Sequence, residues 1–233
     1  MRHCGSGERR LWLAAAPVKQ LGFALHKGAF RDAICLRYGW QLRFTPEKCR
    51  CGLNFDTNHV LTCQQGGIQT MRHNDLRDTI ATLLDEVCKD VTTEPCLQPL
   101  SGETLRPLSA NTLDGARLDI RAHAFWDAMQ DAFFDVRVVH PSAPAYQNKT
   151  LPAIYRQHEL QKRQEYGDRV REVEHGAFTP LVFTAGGGAA PEATVFLKRL
   201  AGMLADKHGL AYSATMGWLK CAIGFCLLRS SLM

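Results

Sequence analysis

The chain has 233 residues, enough for one large domain or one domain with appendages, and its 45% hydrophobic content is ordinary for a globular protein. Its formal charge of +5 at pH 7 is compatible with a nucleic-acid partner but is weak evidence on its own. A secreted disulfide scaffold and a membrane span are both disfavoured. Nine cysteines is an odd count, no apolar leader precedes them, and the most apolar run, Leu210 to Leu228, is broken by Lys220 and Gly224.

Residues 1–20 show little pattern. Lys27 to Tyr38 predicts a helix, with Phe30, Ile34 and Leu36 recurring on one side. A cysteine and histidine cluster follows: Cys49 and Cys51, then His59, then Cys63. Four ligands this close in sequence suit a tetrahedral zinc, and Gly52 permits the tight turn after the second thiolate. All four positions are filled by protein, so the expected metal is structural. Cys35, Cys88, Cys96, Cys221 and Cys226 read as buried apolar fillers instead.

Asn74 reads as the N-cap of a helix reaching about Lys89, with Leu76, Ile80, Leu83, Leu84 and Val87 at helical spacing. Arg72 and His73 would then sit at a helix N-terminus, where phosphate is attracted. A capping Asn74 above a packed His73 fits the same residues. Thr92 to Leu100 could hold a short strand. Ala116 to Ala122 and Ala132 to Val139 read as strands, the latter stopped by Pro141. Pro152 opens a long helix to about Glu174. Pro180 to Thr184 is a strand ended by three glycines, and helices are expected from Pro191 to about Lys207 and over roughly 211–230.

Two acids lie inside the apolar strands, Asp119 in Arg117-Leu118-Asp119-Ile120 and Asp135 in Phe134-Asp135-Val136-Arg137-Val138. A charge in such a segment is costly unless it has a partner. Adjacent strands would bring the two carboxylates together, where they could share a divalent cation suited to phosphodiester hydrolysis. Two edge-strand aspartates facing water is the plain alternative. Strands alternating with helices predict an α/β fold, a small mixed sheet flanked by helices.

The order of elements, with acids on the second and third strands, resembles the restriction-endonuclease-like core. The knuckle, then Arg72-His73-Asn74, then the two acidic motifs, resembles the C-terminal region of non-LTR retrotransposon reverse-transcriptase polyproteins, over roughly residues 20–190. The resemblance implies four regions: an N-terminal linker and helix (1–45), a CCHC-type zinc knuckle (46–70), a restriction-endonuclease-like core (71–190) and C-terminal helices (191–233). It implies a Mg²⁺-dependent DNA endonuclease that nicks target DNA, within a nucleus-accessing protein whose polyprotein partner regions are missing here. DNA is the implied partner, with element RNA a further one.

Carried over residue by residue, Asp119 matches the first acid, with Leu118 where the family has proline. Asp135 matches the second. Arg137 stands in the usual lysine slot, and arginine is a poor proton shuttle. The lysine implied by the retroelement enzymes is Lys162 on the following helix, with Tyr166 four residues on. A solvated helix flank with a Glu159–Lys162 pair is the plain reading of that stretch. An inactive nucleic-acid-binding module and a decayed element copy are the alternative functions.

Overall fold

The computed structural model describes Trp12, residues 15–43, 45–63, Gln65, 67–100 and 116–232. The first eleven residues and residues 101–115 lie outside the described residues.

Four strands form one mixed sheet: β1 (Lys89–Thr93), β2 (Ile120–His123), β3 (Asp131–Val139) and β4 (Ala177–Thr184), in spatial order β1-β2-β3-β4. The first two pairings are antiparallel and β3 pairs β4 in parallel. A parallel pair needs a crossover, and the helical stretch after Pro152 supplies it. The helices, in chain order, are α1 (Lys27–Tyr38), α2 (Thr57–Thr62), α3 (Ile68–Asp85), α4 (Leu151–Lys162), α5 (Asp168–Glu172), α6 (Pro191–His208) and α7 (Tyr212–Arg229). The α/β architecture with a small mixed sheet is therefore as expected. Among the described residues, no helix is long and apolar enough to cross a membrane.

Alternation along β3 divides the core. Ala132, Phe134 and Val136 join the main cluster with Leu76, Ile80 and Leu84 of α3 and Phe196 and Leu200 of α6. Phe133 packs on the other face with Val170 and Phe178, and Val139 with Ile154 and Tyr155. Asp135 lies between those two small clusters on that second face, since side chains two apart share a face.

Several boundaries differ from the sequence reading. Helix α3 starts at Ile68, so Asn74 lies inside it and caps nothing. Asparagine is only mildly unfavourable within a helix, and the buried Arg72 and Leu76 hold the extra turns in place. Strand β1 comes earlier than Thr92–Leu100 and ends before Pro95, which lacks a ladder donor. The expected Ala116–Ala122 strand is regular only from Ile120, and it runs on to His123. The long helix after Pro152 exists but passes through a π-helical turn, Arg163–Gly167, between α4 and α5. Cys96 is exposed, not a buried filler, because it sits in an edge bridge with Arg117.

Gly176 makes the approach to β4 possible. A Cβ there would meet the Phe133 ring at 2.7 Å and the Asp131 carbonyl at 2.9 Å. Gly176→Ala is expected to destabilise the chain by about 1–3 kcal/mol, the scale of overpacking a filled site. Urea unfolding followed by circular dichroism checks this.

Candidate functional site

The cysteine and histidine cluster is built from a hairpin-like turn and a short helix. Lys48 bridges Asn54, and the Cys49 amide donates to the Leu53 carbonyl at 2.8 Å. The Gly52 amide donates to the Cys49 carbonyl at 2.8 Å, and Gly52 takes φ 87°, open to glycine at little cost. The Asp56 carboxylate caps α2 by accepting from the His59 amide at 3.0 Å. Cys63 follows the last turn of that helix. The ligand atoms of Cys49, Cys51, His59 and Cys63 all lie within 4.8 Å of one another, so this set could hold a metal ion such as zinc. A backbone hydrogen bond from Leu53 favours the Cys51 thiolate. Burial and hydrogen bonds with Cys49 and Cys63 outweigh it, and the thiol is pushed up. A cation among the sulfurs would relieve that crowding.

The second cluster surrounds the point where β2 and β3 part. Asp119 immediately precedes β2, and its amide donates to the Phe134 carbonyl at 3.1 Å. Beyond that bond the ladder stops, and the Asp119 Oδ2 accepts from the Val136 amide at 2.6 Å. Asp119 Oδ1 meets His73 Nε2 at 3.0 Å. Asp135 is 6% exposed; its Oδ1 accepts from Lys162 Nζ at 3.2 Å, and its Oδ2 is buried with no hydrogen-bond partner. Burial and the neighbouring Asp119 charge raise the Asp135 carboxyl to about 7, against the opposing pull of Lys162. Loss of solvent is thus the larger effect.

Lys162 ends α4, where the π-helical turn begins. Its side chain is 13% exposed, 3.5 Å from Glu165 Oε2 and 5.1 Å from the centre of the Tyr166 ring. Lys162 and Tyr166 therefore meet as the spacing predicted, and the ammonium faces Asp135 rather than solvent. Burial and the acids Glu165 and Asp135 push the Tyr166 phenol up, which keeps it protonated. Glu159 does not pair with Lys162 here. It is buried and accepts from the Glu192 amide at 2.9 Å, at the N-terminus of α6. Arg137 is exposed on β3, two residues from Asp135.

Arg72 is 2% exposed, in the second turn of α3, so it presents no charge at a helix N-terminus. Burial lowers its guanidinium to about 10. His73 points instead at Asp119. Burial opposes its protonation, but the hydrogen bond to Asp119 and the charges of Asp119 and Asp135 win, and its pKa is raised. The sequence reading missed this pairing across 46 positions and the partnership of Glu165 with Lys162. His158, one turn before Lys162 on the same helix, is buried, and its Nε2 lies 2.7 Å from the Tyr146 hydroxyl. Burial, Arg137, Lys149 and Lys162 lower His158 to about 4.

Neither a family model nor a curated protein matches this sequence.

Two outcomes are expected. Cys51→Ser should abolish stoichiometric zinc in the purified chain, read by elemental analysis, while the far-ultraviolet spectrum of the sheet and long helices persists. The second concerns pH. An Asp135 carboxyl raised in the folded state binds its proton more tightly there than in the unfolded chain. Without added cation, its contribution to stability falls as pH rises from about 4 to about 7 and stays low above. Asp135→Asn should remove that fall and stabilise the chain at pH 8 by on the order of 1–3 kcal/mol. Denaturant midpoints across pH check it.

Proposed function

We propose that this chain is a metal-dependent DNA endonuclease region with a structural zinc knuckle, of the kind found in retroelement polyproteins. The observation that carries the proposal is the convergence of Asp119, Asp135 and Lys162, drawn from the residue before β2, from β3 and from the end of α4. The chain order α3-β1-β2-β3-α4-β4, with a parallel fourth strand, supports a restriction-endonuclease-like core. Two carboxylates beside an ammonium are chemistry suited to a phosphodiester.

The residues fit a divalent cation. Asp135 Oδ2 is a buried oxygen lacking a partner, and each Asp119 oxygen retains a lone pair beyond its single hydrogen bond. Asp119 and Asp135 would hold Mg²⁺, which when bound activates water and polarises a phosphoryl oxygen. Asp119 is kept in place from two sides, by His73 and by the Val136 amide. Lys162 supplies a positive charge next to the attacked phosphorus and neutralises charge that develops there. Tyr166 positions Lys162 through its ring face. As a protonated phenol it serves as no nucleophile. Arg137, exposed on the same face, clamps a non-bridging oxygen.

DNA is the partner this reading requires, and a nucleus-accessing protein is the location it implies. His73 contributes through Asp119, and Arg72 through packing, instead of touching phosphate.

Nicking of supercoiled plasmid by the zinc-loaded chain with Mg²⁺ tests the proposal. Asp135→Ala should abolish nicking. Lys162→Ala should lower its rate by about two orders of magnitude, the scale of removing one placed electrostatic donor. Lys149→Ala should leave it nearly unchanged, since that ammonium is exposed and bonds Gln157. Plasmid binding with no nicking by the unaltered chain would instead favour an inactive binding module.

A further inference from the structure

Away from the acidic cluster, the end of α1 carries a built aromatic step. Gly39 follows Tyr38 in the left-handed conformation, φ 66°, and turns the chain. The Trp40 amide then donates back to the Cys35 carbonyl at 2.9 Å. This turn lays Trp40 against Tyr38, with ring centres 5.0 Å apart and planes 24° apart. The Arg37 guanidinium carbon lies 5.8 Å from the centre of the Tyr38 ring. Yet Tyr38 is 58% exposed and Trp40 59%. Large rings usually bury most of their area, so an ordered but exposed stack needs a reason.

The neighbouring sequence says what would cover it. Between residues 37 and 50 the chain carries Arg37, Arg43, Lys48 and Arg50 against a single acid, Glu47. Arg43, Lys48 and Arg50 are exposed. Aromatic faces with cations close by in the sequence suit bases joined by phosphates, which pair a stacking surface with negative charge. A duplex keeps its base faces stacked on one another, so only an unpaired strand can offer one.

We infer that the Tyr38–Trp40 stack is a platform for an unpaired nucleobase, with Arg43, Lys48 and Arg50 receiving the adjoining phosphates. The inference rests on nucleic acid being the partner but not on cleavage. Trp40 supplies the stacking face and Tyr38 holds it.

The test uses the zinc-loaded full chain, without Mg²⁺, and a labelled oligothymidylate of ~20 nucleotides, a length that spans more than one contact. Trp40→Ala should weaken its binding by about tenfold or more, the scale of losing one base stack. Affinity for a duplex of equal length should stay within about twofold. Trp40→Phe keeps a ring and should hold affinity within about threefold, while removing the tryptophan quenching that the oligonucleotide causes in the unaltered chain. Unchanged oligonucleotide affinity in Trp40→Ala overturns the inference. So does equal weakening for strand and duplex, or quenching that survives in Trp40→Phe. If the chain self-associates through this face, Trp40→Ala would dissociate it on light scattering with strand affinity unchanged, which also overturns it. Plasmid nicking is a separate readout, so loss of one reading leaves the other standing or falling on its own data.

Discussion

A carboxylate deprived of water organises this molecule. Asp135 lies between two small apolar clusters on one face of β3, with one oxygen facing Lys162 and the other facing no hydrogen-bond donor. An isolated buried charge is among the costliest features a fold can carry. The chain lowers that cost only in part, through one ammonium at 3.2 Å, and the nearby Asp119 charge adds to it. Such incompletely satisfied acids are typical of sites that receive a ligand. The π-helical turn after Lys162 belongs to the same arrangement. Turns of this kind insert a residue into a helix and re-aim its side chains, and here the turn carries Glu165 and Tyr166 to the ammonium.

The cysteine and histidine cluster is tied to that centre through α3. Gln69, in the first turn of α3, donates to the Thr62 carbonyl just before Cys63. One turn later His73 reaches Asp119. A second tie runs from Asn58 of α2 to His140, the residue after β3, at 3.1 Å. Closing the four ligands around a metal would therefore fix where α3 begins and which way His73 points. Metal binding and folding are coupled wherever ligands are gathered only in the folded chain. The cluster and the acidic centre thus meet through α3 as the shared element.

Local chemistry was the readable part of the sequence. The four cluster ligands fall within fifteen residues, and the turn between them needs only Gly52 and the Asp56 cap. An apolar, β-prone run stopped by Pro141 revealed β3, and Pro152 and Pro191 marked the starts of α4 and α6. The start of α3 was hidden because its cap is a glycine without a side-chain signal, while Asn74 advertised a false one. Burial of Arg72 could not be read, since guanidinium groups are mostly exposed and only tertiary packing overrides that. The pairing of His73 with Asp119 spans separate elements and depends on the register of β2 against β3. The π-helical turn leaves no pattern in the sequence because packing, not propensity, selects it.

The most direct test of the account is cation binding at the acidic pair, independent of any reaction. Mn²⁺ titration of the zinc-loaded chain, followed by electron paramagnetic resonance, is predicted to show one site that disappears in both Asp119→Asn and Asp135→Asn. A site that survives both substitutions, or no Mn²⁺ binding by the unaltered chain, would contradict it.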